Sequence, residues 1–197
     1  MDKIFLRTEL PEAIFLGGFR DPSKCPRDKR QVCFLGRSNS GKSTLLAALI
    51  RNPSIVKVSG RPGSTKTINF YSYGNLYLVD LPGYGYTSGG KKEAQLFQEL
   101  VSIYITENHN LASGFLLLDC VRQPKEEEYW LSKIFLAQHR PLVLLLNKID
   151  KLTQKERHNL EQKAQKWQES FHLVWLISAK KGVGLEKILN FIYSFGV

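Results

Sequence analysis

The sequence predicts an α/β fold: a mostly parallel six-stranded sheet with one antiparallel strand, an extra N-terminal strand, and helices on both faces. Three observations predict it. Short, nearly unbroken apolar runs recur along the chain, longer helical patterns separate them, and one pair of runs is joined by Gly74-Asn75 alone. Strands covered on both faces read as continuous apolar segments. Regular alternation of strand and helix makes successive strands parallel, whereas a two-residue turn makes its two strands antiparallel.

The elements follow in order. AIFLGG (13–18) is the candidate extra strand, and VCFLG (32–36) is the first of the main sheet. A helix is expected over 42–51. TINFYSY (67–73) and LYLVD (76–80) form the hairpin around Gly74-Asn75, and a second helix is expected over 93–109. GFLLLDCV (114–121), PLVLLLN (141–147) and LVWLIS (173–178) complete the strands. Helices are expected over 124–139, over 153–170 after the capping Thr153, and over 184–194. Residues 1–24 read as an N-terminal extension packing on a domain that spans 25–197.

The chain has 197 residues, 43% hydrophobic and 23% charged, which suits one domain with a sizeable core. No apolar run approaches the roughly 20 residues of a membrane span. The opening MDKIFLRTELP lacks the apolar stretch of a signal peptide, so a cytoplasmic protein with no membrane partner is expected. Three cysteines, none in a CxxC pair, give no disulfide framework; Cys33 and Cys120 read as core residues. Lys and Arg outnumber Asp and Glu by 28 to 18, a formal net charge of +10. Such an excess favours a polyanionic partner, nucleic acid above all, over a merely soluble basic surface.

Between the first main strand and the helix over 42–51 lies Gly36-Arg37-Ser38-Asn39-Ser40-Gly41-Lys42-Ser43, the G-x-x-x-x-G-K-[ST] pattern of a P-loop NTPase, followed by Thr44. Its glycines let the backbone wrap phosphate oxygens, and the N–H groups at the helix start face the anion. Lys42 is placed to meet the β and γ phosphates and the Ser43 hydroxyl to hold Mg²⁺.

Asp80 ends the neighbouring strand, where its carboxylate can reach that metal through a water. Asp80-Leu81-Pro82-Gly83 is the D-x-x-G of nucleotide switches, and the Gly83 N–H faces the γ-phosphate with no side chain in the way. The polar, turn-rich segment 59–70 contains Gly63, assigned to the nucleotide, and Thr65, assigned to both metal and γ-phosphate. Thr67 competes for that role but starts a strand. Lys42, Thr65 and Gly83 are thus the candidate catalytic residues; Ser43, Thr65 and Asp80 are the candidate metal ligands.

Asn147-Lys148-Ile149-Asp150 closes an apolar strand at the edge where open α/β sheets bind ligands. Asp150 can accept from guanine N1–H and its exocyclic amine, whereas adenine turns a lone pair toward it. An unpaired acceptor costs about 1–3 kcal/mol. Lys148 can lay its stem along the purine, and Asn147 can tie this loop to the P-loop. Ser178-Ala179-Lys180 follows the last strand, where the Ala179 N–H can donate to guanine O6. Together these select GTP and GDP.

These residues resemble the translation-factor-related GTPases, and within them the EngB/YihA/YsxC group: GRSNSGKST, PGSTKTINFY and, most distinctively, DLPGYGY look like that group's motifs over roughly residues 25 to 195. The resemblance implies a Ras-like G domain with an extra N-terminal strand, GTP hydrolysis, and a role in assembling the bacterial large ribosomal subunit. It also implies a link to cell division and septation. The expected partner is therefore the large subunit or its precursor, rRNA and ribosomal proteins together, bound by a monomer. Asn147 departs from the threonine the group often has there, without harm to guanine recognition.

Tyr84 stands where many Ras-like GTPases place a water-orienting glutamine, so slow intrinsic hydrolysis is expected. A partner or a monovalent cation would then position the water; Asn39 sits where related GTPases bind K⁺. Tyr84 and Tyr86 are equally readable as partner contacts, stacking on RNA, or as packing against the next helix. Basic residues cluster at Arg20, Lys24, Arg27, Lys29 and Arg30, at Arg51, Lys57, Arg61 and Lys66, and at Lys91 and Lys92. Those at 151, 155, 163 and 166 read as a solvated helix face. Two rivals stand beside a GTP-hydrolysing switch: a GTP-loaded scaffold with negligible hydrolysis, and a P-loop small-molecule kinase, against which N-K-I-D and S-A-K argue.

Overall fold

The structure, a computed structural model, describes residues 11–56, 67–85 and 90–196. Within them seven strands form one sheet in the order β1-β3-β4-β2-β5-β6-β7. The strands are β1 (Ala13–Phe19), β2 (Arg30–Gly36), β3 (Ile68–Tyr73), β4 (Leu76–Asp80), β5 (Leu111–Asp119), β6 (Leu142–Asn147) and β7 (Leu173–Leu176). Strand β3 runs against both neighbours, β1 and β4, and the pairings β4–β2–β5–β6–β7 are all parallel. The sheet is therefore the expected six strands plus the N-terminal one.

Five helices cover it: α1 (Lys42–Ile50), α2 (Gly90–Thr106), α3 (Glu126–Ala137), α4 (Gln154–Trp167) and α5 (Leu185–Tyr193). The core divides into two layers, one on each face. Leu45, Leu46 and Leu49 of α1 and Ile188 and Ile192 of α5 pack on one face with Phe34, Phe115 and Leu145. Val101 and Tyr104 of α2, Leu131 and Phe135 of α3, and Leu160 and Ala164 of α4 pack on the other with Leu116, Leu118 and Leu144. The near-continuous burial of β2, β5 and β6 is the physical origin of their unbroken apolar runs. Helix α4 keeps Lys155, Lys163 and Lys166 in solvent and starts at a capping box between Thr153 and Glu156.

Several boundaries differ from the sequence expectation, and some of the differences have identifiable causes. Helix α2 stops at Thr106 because Asn108 turns inward, where its amide donates to the Gln31 side-chain oxygen Oε1 at 2.8 Å, which also accepts from the Tyr104 hydroxyl at 2.7 Å. The backbone then enters β5 at Leu111, three residues before the expected 114. Helix α3 starts at Glu126, after Pro124, because the Lys125 N–H is met by the Glu128 side chain at 2.8 Å. All three cysteines are buried free thiols. No helix among the described residues is long and apolar enough to cross a membrane.

Candidate nucleotide site

The carboxyl ends of β2, β4, β5, β6 and β7 lie along one sheet edge, so the loops after them converge. The loop after β2 turns into α1 at Gly41, which has φ +97°. That is a left-handed conformation which side-chain-bearing residues adopt only with strain. A Cβ there would also overlap the Asn147 amide, and one on Gly36 would lie 2.7 Å from the Leu117 carbonyl. Both glycines of the motif are thus required by the close approach of neighbouring strand ends. The first turn of α1 presents its N–H groups to the same edge.

Asp80, almost fully buried at the end of β4, carries the Lys42 ammonium on its carboxylate. Among the described residues, no three His, Cys, Asp or Glu side chains form a metal cage. Asp80, one buried carboxylate, together with Ser43 in the first turn of α1, nonetheless suits Mg²⁺, which takes few protein ligands and completes its shell with phosphate and water.

The loop after β6 is stitched to its neighbours. The Asn147 amide donates to the Ser40 carbonyl at 2.9 Å, and its oxygen accepts the Ala179 N–H at 3.0 Å. In this arrangement the N–H expected to meet guanine O6 is already engaged by Asn147. Lys148 takes φ +72°, and its ammonium donates to the Asn39 carbonyl at 2.6 Å and to Asp119 at 2.8 Å. Its stem therefore crosses the gap between the P-loop and β6. The Cys120 thiol donates to the Lys148 carbonyl at 3.4 Å. Asp150 is exposed and accepts from the buried Ser178 hydroxyl, and that bond holds its carboxyl below the ordinary aspartate range. Burial acts to raise the Asp119 carboxyl, but the Lys148 ammonium and the Val121 N–H outweigh it and hold it low. Both acids thus stay ionised acceptors near neutral pH. Lys180 is exposed, near Asp150.

The D-x-x-G loop lies against the P-loop. The Ser38 N–H donates to the Tyr84 carbonyl at 3.0 Å, and the Tyr84 N–H to the Gly36 carbonyl at 3.4 Å. Gly83 lies beside Ser38, where a Cβ on it would make van der Waals contact with Ser38 Oγ at 3.4 Å. Tyr84 is buried, with its ring 5.0 Å from that of Phe97 on α2 and its hydroxyl donating to Glu128 at 2.7 Å. Of the two readings of Tyr84, helix packing is the one this geometry takes, and its face is not offered to a partner. The Arg37 side chain also leaves the phosphate cradle, pairing with Glu127 at 2.8 Å and Glu128 at 2.7 Å. Its backbone remains in the cradle.

Gly63, Thr65, Tyr86, Lys57, Arg61 and Lys66 lie outside the described residues. Thr67 donates to the Asn69 side chain at 3.3 Å, just before β3. Sequence reasoning missed Asp119 and Glu128. Asp119 ends an apolar strand as Asp80 does, so the same signal marks it. Glu128 sits in an acidic run that reads as a solvated helix start, and nothing local reveals its burial.

The fold and this convergence of loops define a P-loop GTPase with a Ras-like G domain. A family model described as "50S ribosome-binding GTPase" matches residues 31–148. "Probable GTP-binding protein EngB" of Clostridium kluyveri is 37% identical over 150 residues, covering 75% of this chain and 76% of its own. The protein of the same name from Phocaeicola vulgatus is 33% identical over 192 residues, covering 94% and 96%. A crystal structure of a probable GTP-binding protein engB superposes with a TM-score of 0.67 at 25% identity, covering 84% of this chain and 97% of that one. The chain belongs to the EngB family of GTP-binding proteins.

Proposed function

We propose that this GTPase is a cytoplasmic, monomeric switch that acts on the assembling large ribosomal subunit, with any effect on septation following from that role. The observation that carries the nucleotide reading is Asn147, whose side chain bonds both Ser40 and Ala179 and so joins the phosphate cradle to the base loops. In this reading the amides of residues 36–44 grip the phosphates. Asp150 selects guanine, and the Ala179 N–H is shared between Asn147 and O6. Lys42 moves from Asp80 to the β and γ phosphates, and there stabilises the charge that develops as water attacks in line. Mg²⁺, held by Ser43, Asp80 and Thr65, would neutralise phosphate charge when bound. Gly83 and Thr65 meet the γ-phosphate, so its loss removes the contact that joins them.

Hydrolysis in this reading is slow, because the Tyr84 hydroxyl is directed to Glu128 and not toward an attacking water. Potassium at Asn39 would speed it, and equal turnover in potassium and sodium would end that part of the reading. The ribosomal role is supported by the description of the matching family and by the basic excess. Sedimentation with large-subunit precursors tests it: retention should be strong with a GTP analogue and weak with GDP. Equal retention in both states would remove the switch, and none in either would remove the partner.

A further inference from the structure

Glu128 has no solvent exposure, yet it carries a carboxylate. It accepts from Arg37 Nε at 2.7 Å and Arg37 Nη2 at 3.1 Å, from the Tyr84 hydroxyl at 2.7 Å, and from the Lys125 N–H at 2.8 Å. A glutamate near a helix start can cap the backbone from the surface, where it keeps its hydration. Burying it costs free energy that only close pairing recovers, so capping alone does not account for the arrangement. What burial adds is reach: one carboxylate holds the second residue of the P-loop and the residue after Gly83 together.

Tyr84 is consequently fastened at both ends. Its backbone is bonded to Gly36 and Ser38, and its phenol to Glu128, with the ring wedged between Phe97 and the Arg37 guanidinium, 5.8 Å from the ring centre. Gly83 has little freedom of its own once its neighbour is anchored in this way. The attachments on either side of Gly83 are Leu81, whose N–H donates to the Phe34 carbonyl at 3.0 Å, and Tyr84.

We propose that Glu128 is a positioning residue for γ-phosphate sensing, holding Gly83 beside the phosphate cradle through the Tyr84 phenol and the Arg37 guanidinium. The inference rests on the reading of Gly83 as the γ-phosphate contact. It assigns the α3 start a part in telling GTP from GDP, although α3 contributes no residue to the P-loop, D-x-x-G, N-K-I-D or S-A-K motifs. GDP, lacking the γ-phosphate, is gripped by the P-loop and base loops without this device.

Four proteins test it: the parent, Glu128→Gln, Tyr84→Phe and the double variant. Affinities for GDP and for a non-hydrolysable GTP analogue are measured by calorimetry, with kcat and KM for GTP and thermal unfolding alongside. Tyr84→Phe leaves the acid paired with Arg37 and Lys125, so it keeps the test valid if Glu128→Gln does not fold. GDP affinity should stay within about twofold. The ratio of analogue to GDP affinity should fall about tenfold, as expected when a hydrogen bond to a charged group is lost. The fall in kcat should exceed the change in KM, and the double variant should lose no more than the worse single. Variants that lose thermal stability but keep the parent's ratio and kcat would overturn the positioning role and leave a structural one. A parent that binds GDP but gains nothing from a γ-phosphate would overturn the reading of Gly83 itself.

Discussion

The ammonium of Lys42 rests on the carboxylate of Asp80, joining the first residue of α1 to the last residue of β4. Each group is poorly hydrated there, and each neutralises the other. In the proposed reading, a metal-bound triphosphate would exchange these partners, ammonium to phosphate and carboxylate to the metal's shell, so that neither buried charge would stand alone.

Asp80→Asn should therefore raise the Mg²⁺ concentration needed for half-maximal GTP binding by about tenfold, while binding of GDP in chelator changes little. Titration of Mg²⁺ against a fluorescent GTP analogue checks this, and an unshifted curve would remove Asp80 from the metal shell.

Asp150→Asn replaces an acceptor by a donor. GTP affinity should fall by an order of magnitude or more, and xanthosine triphosphate should become the better ligand. Ser178→Ala, which removes the hydroxyl bonded to Asp150, should weaken GTP less and leave guanine preferred. A mutant at 150 that keeps full guanine preference would show that the base is read elsewhere.

Glu128 makes a pH-dependent contribution to stability. Burial acts to raise its carboxyl, but Arg37, the Tyr84 hydroxyl and the Lys125 N–H outweigh it and hold it below the ordinary glutamate range. A depressed folded value stabilises the protein above the unfolded one, about 4.3, and that stability is lost as pH falls through the folded value. In urea unfolding, the gap between parent and Glu128→Gln should be full near neutrality and shrink in acid below about pH 4.3. Arg37→Met, which leaves the acid buried without its cation, should cost about 3 kcal/mol at pH 7.

Asn147→Ala strands a buried N–H at Ala179 and a carbonyl at Ser40, costing roughly 1–3 kcal/mol for each group left unpaired. It should also weaken GTP and GDP alike, because the cradle and the base loops lose their common support. Unfolding with and without nucleotide separates the two effects; loss of guanine affinity at unchanged stability would argue for direct base contact instead.

Most of the architecture was legible because its causes are local. Unbroken apolar runs such as LLLD and VLLLN mark buried strands, and Gly74-Asn75 marks the one reversal. The P-loop, D-x-x-G and N-K-I-D were legible because residue type and spacing encode their chemistry. What could not be read was direction over distance. Arg37 lies inside the phosphate motif yet its side chain answers to acids on α3, and Tyr84's packing on α2 is one of two readings the sequence leaves open. Asp119 pairs with Lys148 only because β5 and β6 end in register. The early end of α2 likewise depends on Asn108 finding Gln31 across the fold.

Arg27 and Lys29, just before β2, lie at the strand-start pole, away from the phosphate cradle. Lys29 donates to the Ser72 hydroxyl at 3.2 Å and the Gly74 carbonyl at 3.0 Å, and Arg27 to the Glu107 carbonyl at 3.1 Å. These cations still project a field, but many of their protons are already committed. Such a pole hastens the encounter with a polyanion without lengthening the stay, so raising ionic strength should slow arrival there while leaving the departure rate nearly untouched.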